Sequence, residues 1–529
     1  MKDLTVTIRR FEPGRDRAPY FRTYTVKVNE GARVLHVLHA IHDTLDPTLS
    51  YRYSCASGQC GSCAVRMNGE PVLACMEEAK DNSTIEPLNL PVKKDLVTDL
   101  VPKLSQIASF CTKKEIVLPK KADIDAIKPL RDCIECLCCV SACPAVDVTN
   151  FIGPTGMRQE MRLVLDPRDG GHRVSDAVRD GLFTCTSCQA CWKVCPKEIE
   201  IPGKAIEKLR ARANRLGFTL PRHLEVAALV KETGRSIART SESFLEQVPD
   251  VIEPDGPMKA TVGFFVGCMY NLRQQQSALD AMEVLKRNGI RVIVPKDQVC
   301  CSSPLIRTGQ LDYVDELKKK NIEVFRSRGI DTVLTMCAGC GTTLKNDYPA
   351  DKPFRVIDIN ELLVQLGIEP PAKLGVKATY HDPCHLLRGQ GVRDQPRELA
   401  RQVVDLVEMP PVCCGSGGGV RSGIPEEAAA LGKRRGEEIR KTGATLVITS
   451  CPFCEFHIAG HTDKPVKHIA SVLLEGYREK DRAGPAKQPA KARKPAAEKK
   501  AGMKKAPVKE PKAAKAPKAP KKKATGKKS

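Results

Sequence analysis

The sequence predicts an α+β multidomain chain: a small sheet-and-helix unit, a helical unit, a duplicated α/β unit and a low-complexity tail. Three observations carry this. Residues 4–10 and 22–29 alternate apolar and polar side chains as a hairpin does, and ARVLHVLHAIHDTL (32–45) repeats its apolar residues at helical spacing. Beyond residue 258, strand-like runs at Thr261–Val266, Val292–Val294 and Thr332–Leu334 alternate with amphipathic helix patterns such as Asp312–Arg328. Cysteines 268, 301, 337 and 340 then recur at 384, 414, 451 and 454, offsets of 113 to 116 residues that mark an internal duplication.

Between these units the pattern turns helical. Runs at Asp95–Phe110 and Asp123–Leu130 lead into cysteine clusters at 133–143 and 185–195, and residues 202–248 read as helices. VPDVIEPDGPM (248–258), with three prolines, reads as a boundary. The expected domains are therefore 1–105, 106–247 and 258–480, the last made of repeats at about 258–370 and 371–480. Residues 483–529 are Lys/Ala/Pro-rich and cannot bury enough apolar surface to order themselves, so a disordered tail is expected.

Composition excludes several classes. The 24 cysteines among 529 residues are too dilute for a disulfide-stapled scaffold and too many for an enzyme that merely buries thiols, so most should bind metal. The start has no apolar signal segment, and no window reaches the roughly 18 apolar residues of a membrane span, which predicts a cytoplasmic protein. Of the net charge of +22, the tail from residue 483 holds +15, with 17 lysines and arginines against Glu498 and Glu510. The body keeps only +7, so nucleic-acid binding is expected only nonspecifically, through the tail.

Cys55, Cys60, Cys63 and Cys75 follow C-x4-C-x2-C-x11-C, the spacing of a plant-type [2Fe–2S] site. Gly58 and Gly61 give the loop the freedom to turn amides toward the sulfurs. The alternative is a zinc site, but zinc ligands usually come as two C-x2-C pairs. CIECLCCVSACP (133–144) and CTSCQACWKVCP (185–196) both fit C-x2-C-x2-C-x3-C-P, in which the fourth cysteine of each run serves the other [4Fe–4S] cluster. Cluster A is expected on Cys133, Cys136, Cys139 and Cys195, and cluster B on Cys185, Cys188, Cys191 and Cys143.

Each repeat carries five more: Cys268, Cys300, Cys301, Cys337 and Cys340, then Cys384, Cys413, Cys414, Cys451 and Cys454. Five is one more than a cubane or a tetrahedral zinc needs. Cys111 and Cys138 remain as non-ligands, expected as small buried hydrophobes. GSGGG (415–419) lacks both nucleotide fingerprints and reads as close backbone packing around the adjacent pair. His381 and His385 flank Cys384, as structural residues or as hydrogen-bond donors and proton shuttles, and Trp192 reads as core filler.

Resemblance sharpens this reading. SCASGQCGSCAVRMNGEPVLAC (54–75) resembles the β-grasp ferredoxin domain of succinate dehydrogenase and fumarate reductase iron–sulfur subunits, and the first cubane run resembles the same family. That family usually has an apolar residue where Cys188 stands, leaving a three-iron cluster beside quinone; with Cys188 present, a full [4Fe–4S] cluster is implied. The ten remaining cysteines resemble the CCG domain of heterodisulfide reductases, which implies noncubane [4Fe–4S] clusters in both sets, or in one with zinc or a vacancy in the other. Ser302, where that family has glycine, is a departure. The combination resembles the iron–sulfur chains of thiol:fumarate reductases. It implies oxidation of coenzyme M and coenzyme B thiols at the CCG domain and electron delivery to the FAD of a separate flavoprotein chain that reduces fumarate. Arg388 and Arg421 are candidates to meet the anionic thiols. The alternative is an iron–sulfur chain of succinate dehydrogenase whose CCG domain docks at a membrane or reduces quinone.

Overall fold

In the computed structural model, which describes residues 1–107 and 117–483, the alternating start becomes an antiparallel hairpin of β1 (Lys2–Arg10) and β2 (Tyr20–Val28). Leu4, Val6 and Ile8 point inward, and the helix Val34–Thr44 lays Val34, Leu35, Val37, Leu38 and Ile41 into the same core. β3 (Ala64–Met67), β4 (Glu70–Leu73) and β5 (Ser83–Glu86) complete a mixed sheet in the order β2-β1-β5-β3-β4. Buried Arg10 ties Asp46 and Asp95 together at 2.5 and 2.9 Å, and Asp95 accepts from the Ser50 amide at 2.9 Å. That network pins the chain just before the first cysteine loop.

The run expected to be helical from Asp95 begins otherwise. Lys94 and Val97 pair across a tight turn between β6 (Val92–Lys94) and β7 (Val97–Thr98), because Asp95, at φ 47° and bonded to Arg10, is committed to that turn. The helix starts only at Val101. Cys111 and the tail expected to be disordered lie outside the described residues.

The helical unit is built twice over. In each cubane run the second and fourth residues after the first cysteine adopt the left-handed backbone: Glu135 and Leu137, then Ser187 and Gln189. A one-turn helix follows, Cys138–Ser141 and Ala190–Lys193, and carries the third cysteine. The segment 248–258 is more than a boundary, since β8 (Val251–Ile252) pairs antiparallel with the next sheet and Val294 N–H reaches the Asp250 carbonyl at 2.7 Å.

The duplication is visible in topology. β9 (Ala260–Phe265), β10 (Ile290–Ile293), β11 (Thr332–Thr335) and β12 (Arg355–Asp358) form a parallel sheet ordered β12-β11-β9-β10, with β8 on its edge. β13 (Lys377–Tyr380), β14 (Asp405–Val407), β15 (Leu446–Thr449) and β16 (Val466–His468) repeat that order as β16-β15-β13-β14. The central strands TVLT and LVIT are buried at every residue, as strands with covered faces are. Three cysteines of each repeat follow the carboxyl ends of β9 and β11 or of β13 and β15, where open parallel sheets place ligands, and the adjacent pairs come after β10 and β14.

One side chain joins these parts. The helix Glu207–Arg215 follows a π turn at Pro202–Ile206, and from it fully buried Arg210 donates to Leu182 O at 3.1 and 2.9 Å and to Cys185 O at 2.8 Å in the helical unit. It also donates to Arg307 O of the first repeat at 2.6 Å and Gly418 O of the second at 2.9 Å. All five guanidinium hydrogens are used. Arg210→Met leaves four carbonyls bare, at roughly 1–3 kcal/mol for each that water does not reach, and is expected to lower denaturant stability by about 3 kcal/mol or more. An unchanged unfolding midpoint would show that the carbonyls find other partners.

Candidate functional site

The first cysteine loop is shaped by its backbone. Ala56, Gly58 and Gly61 take φ of 51°, 70° and 71°, which turns the Ser57, Gln59 and Cys60 amides onto Cys55 Sγ at 3.4, 3.3 and 3.3 Å and the Gly58 amide onto Cys75 Sγ at 3.3 Å. These donors, Ser57 first, bring the Cys55 thiol down to about 6. Cys63 bonds to Cys75, so the loop and the end of β4 bring the predicted residues together, with Cys60 exposed.

The cubane runs cross as their spacing requires. One small void is lined by Cys133, Cys136, Cys139 and Cys195, and a second by Cys143, Cys185, Cys188 and Cys191. Burial and neighbouring sulfurs push the Cys139, Cys143 and Cys191 thiols well above their ordinary range. Four such thiolates are tolerable side by side only around cations, so the donor sets fit iron–sulfur clusters. Cys138 is fully buried, as expected, and bonds to Cys136. Trp192 lies on neither void and not in the core; it is half-exposed, with Lys193 Nζ 5.0 Å above its ring.

All ten remaining cysteines line one cavity of about 530 Å³ between the repeats. Cys268 shares a buried cluster with Cys300, and Cys301 another with Cys340, in the first set; Cys384 Sγ lies 3.5 Å from Cys413 Sγ, and Cys414 Sγ 3.6 Å from Cys454 Sγ, in the second. Cys337 of the first set and Cys451 of the second line the same space, so the sets meet. Ser302 takes φ 76° against 96° for Gly415, the same left-handed turn after each pair, so serine there leaves the loop geometry intact. Glycine is required only in the second repeat, where a Cβ at 415 would lie 2.5 Å from Leu431 Cβ.

Contacts between sites were not legible in the spacing. A Cβ on Gly61 would lie 2.8 Å from Cys136 Cβ, so the first loop abuts the first cubane run. The glycine run packs against the second: a Cβ on Gly418 would overlap the Cys185 carbonyl, and one on Gly417 would lie 2.7 Å from that of Thr186. Cys188 and Cys413 pack together in one small buried cluster, and Cys413 Sγ lies 3.5 Å from Thr186 Oγ1. The chain of contacts therefore runs from the first loop through both cubane sets to the second repeat.

The flanking residues sort differently. Arg421 lines the cavity, stacked on Phe456 at 4.1 Å. Arg388 does not line it; it donates to the Cys188 and Pro411 carbonyls at 3.4 and 2.5 Å and braces the junction between the second cubane run and the second repeat. His385 Nε2 bonds to the Ser187 carbonyl at 3.0 Å. Buried His381 accepts from Arg435 Nε at 3.0 Å, and burial pushes it down to about 3.

Residues 5–104 match the 2Fe-2S iron-sulfur cluster binding domain family, 129–199 the 4Fe-4S dicluster domain, and 262–345 with 378–459 the Cysteine-rich domain. The B chain of the fumarate reductase (CoM/CoB) of Methanothermobacter marburgensis is 43% identical over 474 residues, covering 87% of this chain and 95% of its own. The chain belongs to the family of fumarate reductase (CoM/CoB) B chains. It is an iron–sulfur component of an oxidoreductase. The D chain of the dihydromethanophenazine:CoB–CoM heterodisulfide reductase of Methanosarcina acetivorans is 33% identical over 309 residues, 54% of this chain and 75% of its own. The fumarate reductase iron–sulfur subunit of Mycobacterium tuberculosis is 34% identical over 232 residues, 40% of this chain and 94% of its own. Among the described residues, no helix is long and apolar enough to cross a membrane.

The Gly61 contact is testable by stability alone. Gly61→Val drives a side chain into Cys136 and Ile134, and overpacking of this kind costs about 1–3 kcal/mol. Denaturant unfolding of the loaded protein measures it; equal stability would mean that the two loops are not in contact.

Proposed function

We propose that the chain is the iron–sulfur subunit of a thiol:fumarate reductase, in which coenzyme M and coenzyme B thiols are oxidised to their mixed disulfide in the ten-cysteine cavity. The observation that carries this is that both repeats open on one space of about 530 Å³, within the range of small-molecule pockets, instead of enclosing two separate sites. Disulfide formation releases two protons and two electrons; reduction of fumarate to succinate consumes two of each. The clusters supply iron that binds sulfur and takes up electrons singly.

In this reading a β-grasp domain holds one [2Fe–2S] cluster on Cys55, Cys60, Cys63 and Cys75. Two [4Fe–4S] clusters sit on Cys133, Cys136, Cys139 and Cys195 and on Cys185, Cys188, Cys191 and Cys143. The two five-cysteine sets hold noncubane clusters, or one holds zinc. Arg421, half-buried on the cavity wall, offers its guanidinium to an anionic tail, sulfonate or phosphate. The Cys413–Cys188 and Gly61–Cys136 contacts support an electron path from the second repeat through cluster B, then cluster A, to the two-iron loop. Exposed Cys60 supports delivery from that loop to the FAD of a separate flavoprotein chain.

Two outcomes are expected. Cys188→Ile converts cluster B to a three-iron centre, read by electron paramagnetic resonance of the oxidised protein; a retained four-iron signature would refute the ligand assignment. The anaerobically purified complex should consume both thiols together, and only when fumarate is supplied. Succinate oxidation with a quinone analogue, without thiol dependence, would instead point to a succinate dehydrogenase whose cysteine-rich domain serves docking or quinone.

A further inference from the structure

The repeats bring matching cysteines to one cavity, yet the residues behind them differ. Three positions before Cys268 stands Phe265, the end of β9 and part of the apolar core. Three positions before Cys384 stands His381, just past the end of β13 and 0% exposed. Its main chain is clamped to the neighbouring strand, with N–H donating to Ile448 O at 2.8 Å and the carbonyl accepting from Thr449 Oγ1 at 3.1 Å.

The ring is equally fixed. His381 Nδ1 accepts from Arg435 Nε at 3.0 Å, and Arg435 is itself held by the Pro410 carbonyl and Glu438, each at 2.7 Å. Arginine only donates, so Nδ1 must present its lone pair and the ring hydrogen must sit on Nε2. That Nε2 is buried with no hydrogen-bond partner among the described residues. A ring nitrogen of His381 lies within 4.8 Å of both Cys414 Sγ and Cys454 Sγ. A nitrogen that carries a hydrogen is a donor to sulfur and not a metal ligand, so the grouping of His381, Cys414 and Cys454 is no three-residue metal site.

We propose that His381 is a potential-setting residue: its buried, unpartnered Nε2–H is the donor held for sulfur of the second set once that set carries its cluster, a bond that Phe265 denies the first set. The inference rests on the reading above, in which both sets serve thiol oxidation. Hydrogen bonds to sulfur favour the reduced, more negative state of an iron–sulfur centre. Each set takes a main-chain donor, the Ser236 amide on Cys268 and the Gly415 amide on Cys413, both at 3.4 Å, so the histidine bond makes the second set the more easily reduced of the two, and it is also the one whose Cys413 packs against Cys188. The asymmetry gives electrons released in the cavity a direction, away from the first set and toward the cubanes.

The test uses the full complex, loaded and anaerobic, with the second-set signal identified as the one lost in Cys454→Ser. In the unsubstituted protein, electron–nuclear double resonance in H2O and D2O, with 15N-labelled histidine, should show an exchangeable proton and a histidine nitrogen coupled to that signal. In His381→Phe, which copies the first repeat, both couplings should vanish and the midpoint potential should fall, while the clusters on Cys133 and Cys185 keep theirs. His381→Gln, which restores an N–H, should recover part of the shift. Absence of both couplings from the unsubstituted protein, or an unchanged potential in an iron-replete His381→Phe complex, overturns the inference alone. A second set without iron overturns it together with the reading on which it rests.

Discussion

The arrangement depends on one buried cation. Among the described residues Arg210 has no carboxylate within hydrogen bonding; its five hydrogens go to main-chain carbonyls of the helical unit and of both repeats. Removing a guanidinium from water is costly, and neutral carbonyls offset that cost only if every one is in place. The cation is therefore stable only when the three parts are docked together. Because Cys185 and Gly418 supply two of the carbonyls, the same contact fixes the cubane run against the glycine run beside Cys413 and Cys414.

Close approach of backbones does the rest. Electron transfer between centres falls steeply with separation, and side chains are what ordinarily keep loops apart. At Gly61, Gly417 and Gly418 there is no side chain, and a Cβ at any of them would overlap atoms of the facing cysteine loops. Where side chains do intervene they are the sulfurs themselves, Cys188 against Cys413 and Cys337 against Cys451. Arg307, joined to Glu207 at 2.8 Å and to Asp347 at 2.5 Å, adds a largely buried ion triad that holds the first repeat to the same helix.

What was legible in the sequence is what metal chemistry dictates locally. Cysteine spacing follows from the size of a cluster and the geometry of a turn, so the crossing of Cys143 and Cys195 and the duplicated sets of five were readable, as were the strands carrying them. Partners distant in sequence were not. GSGGG reads as packing around its own cysteine pair, whereas it also packs tightly on Cys185, Thr186, Thr308 and Leu431. Arg388, a candidate for the thiol mouth on sequence grounds, instead donates to two carbonyls, those of Cys188 and Pro411, which are distant from it in sequence. Arg210 did leave a trace: Ile206, Leu209, Arg210 and Ala213 are all buried and share one helical stripe, so a charged residue occupies a core position of EKLRARANR.

A duplicated domain poses a physical problem for directional chemistry. Two like halves facing one cavity would offer released electrons two equivalent sites, and only a difference between the halves can choose. The strand order is the same in both, and Ser302 and Gly415 share the left-handed turn, so the scaffold itself supplies no preference. Beside the difference between His381 and Phe265, the halves differ in what the helical unit touches. It reaches the first set through the Ser236 amide on Cys268 at 3.4 Å, a hydrogen bond with no sulfur beyond it, and the second through Cys188 and Thr186 on Cys413. Only the second contact continues into a four-cysteine set. The duplication thus places two like cysteine sets around one cavity, and docking the helical unit off its axis joins only one of them to a four-cysteine set.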